Sequence, residues 1–147
     1  MTSLNPFDVW PVVFGGPEDS SVAEKLIKSW NCGYNAAGAL DVRSAAFALK
    51  RCALYLGNDT GTMHLAAAVG VPCVAIFSAR ERPGMWYPHG NNNRVFRSRI
   101  ECEGCGLSVC VKRKNECLKQ ISTAEVRAAV AQLWKLDSQR EGRLQHE

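Results

Sequence analysis

The chain has 147 residues, is 46% hydrophobic and carries a net charge of +4, enough apolar material for a single core with no second domain required. No run of about 18 or more apolar residues occurs, which excludes a membrane-spanning helix, and residues 1–6 lack the charged and apolar regions of a secretory signal. The modest, dispersed charge suits an anionic substrate or an acidic membrane surface and lends little support to nucleic-acid binding; a cytoplasmic location is expected, with peripheral contact at the inner membrane face.

Strand and helix signals alternate along the chain, as a doubly wound parallel sheet requires. Val9 to Phe14 reads as a first strand, stopped by Gly15-Gly16-Pro17. Glu18 to Trp30 reads as a helix with Val22, Ala23, Leu26, Ile27 and Trp30 on one face. A short segment, Asn35 to Ala37, and a Gly38-Ala39-Leu40 loop lead to Asp41, a good N-cap for a helix through Arg51 with Ala45, Ala46, Leu49 and Cys52 inward. A strand over 54–57, a turn, a helix over 62–69 and a strand over 73–77 form a compact βαβ unit. Ser122-Thr123-Ala124-Glu125 is a capping box opening a last helix to about Leu136, with Val126, Ala129, Val130 and Leu133 inward. Residues 1–136 are thus expected to form one α/β domain and 137–147 a charged, frayed tail.

The functional signal lies in Gly57-Asn58-Asp59-Thr60-Gly61-Thr62-Met63-His64, a strand end, a tight turn and a helix start. Ligands of open α/β sheets sit beyond the carboxyl ends of the strands, where the next helix offers unpaired amides and its positive dipole end. Thr60, Gly61 and Thr62 are therefore expected to face anionic oxygens. Gly61 would allow close backbone approach in a turn conformation barred to other residues, and the threonine hydroxyls would add hydrogen bonds. The Asp59 carboxylate would repel phosphate but accept from sugar hydroxyls. Alternatively, Asp59 or Thr60 only caps the helix and His64 is an ordinary first-turn side chain.

The run from Asn58 to Ala68, followed by Gly70-Val71-Pro72 and Cys73-Val74-Ala75-Ile76-Phe77, resembles the signature of the heptosyltransferases, glycosyltransferase family 9. The resemblance extends from Phe14 to about Val126 and covers the family's C-terminal, nucleotide-sugar-binding domain, implying the C-terminal half of a GT-B enzyme with a Rossmann-like sheet. It implies that Glu18 reaches the donor ribose, that Leu40 lies against adenine, and that His64 hydrogen-bonds the diphosphate; a first-turn carboxylate and ordinary loop packing are the plain alternatives for Glu18 and Leu40. It further implies inverting transfer from an ADP-heptose-like donor to a lipopolysaccharide-type acceptor without a catalytic metal. In the family the general base and acceptor site belong to an N-terminal domain, so no catalytic residue is assigned and that domain is expected in another chain if not in this one. The rival reading is a non-catalytic relic or assembly module that keeps the fold. After Phe77, Ser78 and the Arg80/Arg82 pair replace the family's usual glycine and threonine-containing turn, which leaves the sugar open. Arg80 or Arg82 could pair with phosphate, and Trp86 and Tyr87 could stack on a ligand or anchor the loop.

Four of the seven cysteines, Cys102, Cys105, Cys110 and Cys117, fall in one loop with two, four and six intervening residues. In a reducing compartment these separations read as a structural tetrahedral zinc staple, with disulfides or free thiols as alternatives. Four protein ligands would leave no open position for catalysis. Cys32, Cys52 and Cys73 read as small core residues, and Lys112-Arg113-Lys114 as a solvated charged loop or a contact for anionic lipid or nucleic acid.

Overall fold

The computed structural model describes residues 9–111 and 113–144, the side chains of 136–144 excepted. The chain divides into two compact units, residues 1–48 and 49–147.

In the first unit, β1 (Val12–Val13) pairs in parallel with β2 (Tyr34–Asn35), Val12 opposite Tyr34 and Val13 opposite Asn35. A parallel pair needs a crossover, supplied here by a 3-10 turn (Pro17–Asp19) and α1 (Ser20–Trp30). Pro17 at the first position costs no hydrogen bond, and the Asp19 carboxylate accepts from the Gly16 amide at 3.0 Å. The strand expected over Val9 to Phe14 shrinks to two paired residues, and the helix begins at Ser20. Its expected face also narrows: Ala23 is buried and Ile27 and Trp30 half-buried, whereas Val22 and Leu26 are exposed. Asn31, left-handed at φ 56°, ends α1. Gly33 then turns at φ 113°, where a Cβ would lie 2.6 Å from the Pro11 carbonyl oxygen; only glycine lets Tyr34 enter the sheet and bond that carbonyl. Asn35 fastens the strand to the helix, donating to the Ser20 carbonyl at 3.2 Å and accepting from the Ala37 amide at 3.0 Å. Helix α2 (Val42–Leu49) is capped as expected, the Ser44 amide donating to Asp41 Oδ1 at 2.8 Å, but stops short of Arg51.

The second unit is built on a parallel sheet in the order β3 (Tyr55–Asn58), β4 (Cys73–Phe77), β5 (Arg94–Arg97). Central β4 is apolar throughout because both its faces are covered. Val74 points with Leu54, Ile76 and Phe96 into a cluster with Val126, Ala129 and Leu133 of α5 (Thr123–Leu144). Ala75 and Phe77 point the other way, against Met63 of α3 (Gly61–Ala68), Tyr55, Tyr87 and Val95. Helix α3 ends in a Schellman closure: Gly70 at φ 84° lets its amide bond the Ala67 carbonyl while the Val71 amide bonds that of Ala66, and buried Val71 turns the chain into β4. The strand over 73–77 lies where its sequence puts it; β3 and α3 are each displaced by one residue. Strand β5 and the short α4 (Glu116–Lys119) have no counterpart in the sequence reading. Helix α5 opens with the Glu125 amide on Ser122 Oγ at 3.5 Å, one half of the expected box, and continues through Leu144 into the expected tail.

Candidate functional site

Beyond the carboxyl ends of β3 and β4 lies an open cleft of about 490 Å³. It is lined by Asn58, Asp59, Thr60, Gly61 and His64 from the β3–α3 turn and by Ile76, Ser78, Arg80, Glu81, Trp86 and Leu118 from farther along the chain. Thr60 precedes α3 in extended conformation and its carbonyl accepts from the Met63 and His64 amides. The amides of Gly61 and Thr62 have no helical carbonyl behind them, as at any helix start, so donors and dipole both face the cleft.

Gly61 is helical and not left-handed, so its expected turn conformation is corrected. Its role is space: a Cβ built there meets nothing within 4 Å, so the glycine leaves the backbone bare to an approaching ligand. The threonine hydroxyls bond one another. Thr60 Oγ1 and Thr62 Oγ1 lie 2.9 Å apart, and the Tyr55 hydroxyl reaches them at 3.4 and 3.0 Å. Each hydroxyl both donates and accepts, so the trio can turn one proton toward an anion while the others stay bonded. Tyr55 is a site residue the sequence reading missed; its signal was Gly57 two residues on, where a Cβ would lie 2.5 Å from the Tyr55 hydroxyl.

Asp59 Oδ1 stands 3.8 Å from His64 Nε2. Partial burial pushes the Asp59 carboxyl up, opposed by His64 and Arg80 and reinforced by Glu81. Arg80 Nε bonds Glu81 Oε1 at 3.2 Å, so it reaches the cleft already paired, while Arg82 is exposed. His64 meets Trp86 edge to face, centroids 6.3 Å apart.

The wall carrying Ser78, Arg80 and Glu81 is held from behind by the cysteine-rich loop. The Gly104 amide bonds the Ala79 carbonyl and the Gly106 amide that of Arg80, both at 2.8 Å. Buried Arg97 pairs with Glu103 and donates from Nη2 to the Glu81 carbonyl at 2.7 Å. Asn93, also unforeseen, clips the next loop, accepting from the Cys73 amide and donating to the His89 and Gly90 carbonyls.

Asp59, Thr60, Gly61 and His64 thus share the cleft, and Thr62 joins through the hydroxyl trio. Glu18 and Leu40 belong to the first unit, both exposed, Glu18 with its carboxylate folded over Gly16. Cys105 is exposed and Cys102, Cys110 and Cys117 are partly so. Among the described residues no three or more His, Cys, Asp or Glu are gathered to hold a metal ion. A zinc staple of Cys102, Cys105, Cys110 and Cys117 would need the loop to close around the ion. Cys73 is buried as expected, whereas Cys32 and Cys52 are half-buried.

Parallel strands, a crossover helix and an anion-receptive turn at the strand ends define an α/β ligand-binding domain. Residues 5–116 match glycosyltransferase family 9 (heptosyltransferase), and the chain belongs to that family. It is 29% identical over 91 residues to lipopolysaccharide heptosyltransferase 2 of Salmonella typhimurium, covering 58% of this chain and 26% of that protein. It is likewise 29% identical over 77 residues to lipooligosaccharide heptosyltransferase 2 of Campylobacter jejuni, covering 51% and 24%. The chain therefore spans about a quarter of the length of these curated relatives. Among solved structures, a family 9 glycosyl transferase from Veillonella parvula superposes with a TM-score of 0.73 at 26% identity, covering 85% of this chain and 36% of that one. The Escherichia coli ADP-heptose lps heptosyltransferase II does so with 0.69 at 21% identity, covering 88% and 37%, a likeness of fold. Among the described residues no helix is long and apolar enough to cross a membrane.

Proposed function

We propose that this chain is the donor-binding part of a glycosyltransferase and holds a nucleoside-diphosphate sugar, an ADP-sugar of heptose type, for inverting transfer to a lipopolysaccharide-type acceptor. The observation that carries this reading is the union, in one cleft, of the open α3 start at Gly61 with the Asp59–His64 pair. The diphosphate sits against the Gly61 and Thr62 amides and the threonine hydroxyls. Asp59 accepts from sugar hydroxyls, and His64 hydrogen-bonds the phosphates. As the sugar leaves, negative charge grows on the departing diphosphate, and donors already aimed at it stabilise that charge without reorganising. Glu18 and Leu40 serve ribose and adenine, as the family resemblance implies. Deprotonating the acceptor falls to a general base outside the residues assigned here, so the chain by itself binds donor and turns over little.

Calorimetric titration with ADP, UDP and GDP, beside the Thr60→Ala/Thr62→Ala double variant, tests this. Saturable binding of one nucleotide, weakened at least about tenfold in the variant, is the expected result. Absence of binding to all three would leave a relic or an assembly module as the better account.

A further inference from the structure

Trp86 combines two properties that do not usually occur together in a side chain without a ligand to meet. Its backbone is left-handed at φ 64°, a conformation strained for a bulky residue. Its side chain nevertheless gains little burial, since the residue remains 59% exposed. Two residues earlier the same loop uses Gly84 at φ 85°, so glycine is the unstrained solution to this type of turn. Nor does Trp86 anchor the loop. Tyr87 does that, meeting Phe77 edge to face at 5.1 Å beside buried Met63 and Ala75. What Trp86 does instead is line the cleft, edge to face with His64, in a lining it shares with Asp59.

We propose that Trp86 is the platform on which the sugar of the nucleotide sugar rests, a specificity-determining contact that deepens, and depends on, the donor-binding reading above. A pyranose has polarised C–H bonds on its faces and hydroxyls around its rim. An indole face attracts the former, and a carboxylate accepts from the latter. Trp86 and Asp59, each beside His64, offer that pair within one cleft. The sugar is one bond from the terminal phosphate, so a diphosphate held at the start of α3 brings it to these residues. The nucleobase lies a ribose and two phosphates away.

The test is calorimetry of the full chain with ADP and with ADP-heptose, for wild type, Trp86→Ala, Trp86→Phe and Trp86→Gly, with melting temperatures for each. Wild type is expected to bind ADP-heptose more tightly than ADP. Trp86→Ala should lose about three- to tenfold for ADP-heptose, the range of an aromatic contact, and nothing for ADP, while Trp86→Phe keeps part of the difference. Trp86→Gly should lose the same discrimination while melting at or above the wild-type temperature, because it relieves the left-handed backbone. Equal losses for both ligands would place the ring under the base and overturn the assignment. Unchanged binding in Trp86→Ala, or a large fall in melting temperature for Trp86→Gly, would overturn it in favour of a structural role. Failure of wild type to bind either ligand would instead overturn the donor reading on which it depends.

Discussion

A methyl group added at Gly57 would meet the Tyr55 ring and hydroxyl at 2.5–2.9 Å, whereas one added at Gly61 meets nothing within 4 Å. Gly57→Ala should therefore cost about 1–3 kcal/mol through overpacking, read as a fall in melting temperature. Gly61→Ala should leave stability intact and weaken nucleotide binding about tenfold or more, the effect of losing hydrogen bonds to a charged group. The two acidities at opposite ends of the pH scale also separate site from core. The Asp59 carboxyl is raised in the folded chain, so its contribution to stability is full below its ordinary value of 3.8 and is lost as pH rises through the folded value. Asp59→Asn should accordingly be as stable as wild type or more so at pH 7, with the gap closing in acid, while binding falls; denaturant midpoints at pH 3 and 7 check this. Burial pushes the Cys73 thiol up to about 11 from 9.0. Its stabilisation is complete below pH 9 and is lost as pH rises to about 11, an effect of about 3 kcal/mol, which an alkaline melting series would record. A thiol reagent at pH 8 should label exposed Cys105 readily and Cys73 only after unfolding.

Among the elements, those whose character is local were legible. β4 shows itself as five consecutive apolar residues, and the motif turn as a change from strand-like to alanine-rich composition. β5, Arg94-Val95-Phe96-Arg97, was not, because pairing with β4 makes it a strand and its two arginines hide the alternation. The α1 stripe over-reached for a related reason: periodicity gives a face but not how much of it another element covers, and Val22 and Leu26 lie on its uncovered margin. Of the site, Asp59, Thr60, Gly61 and His64 were readable from one turn. Tyr55 and Asn93 act through contacts that only the folded sheet creates, and Tyr55 adds a third hydroxyl to the two threonines. The cysteine spacing suggests a structural metal site, and the loop that carries it is also held by main-chain bonds and by Arg97. Arg97→Ala should free the exposed Glu103 carboxylate and the Glu81 carbonyl and destabilise by about 1–3 kcal/mol, the cost of lost charge-assisted hydrogen bonds, with faster hydrogen exchange at the Gly104 and Gly106 amides. Metal analysis of protein purified under reducing conditions decides between the readings of the cysteine spacing: bound zinc with protected loop thiols for the staple, no zinc with all four thiols titratable for free cysteines.

At the scale of the whole molecule, every residue lining the cleft beyond β3 and β4 lies within residues 49–147, and two of them, Arg80 and Leu118, come from segments nearly forty residues apart. The joins between the wall carrying Arg80 and the loop behind it run from the Gly104 and Gly106 amides to the Ala79 and Arg80 carbonyls. Main-chain bonds do not consult side-chain identity. Both glycines are left-handed, at φ 75° and 64°, and so are the positions at which evolution has little room. Arg80, Glu81 and their neighbours, by contrast, can be exchanged without loosening the wall they stand on. The arrangement works as a fixed frame with replaceable facing: a few side chains can be rewritten while the scaffold that displays them is kept whole.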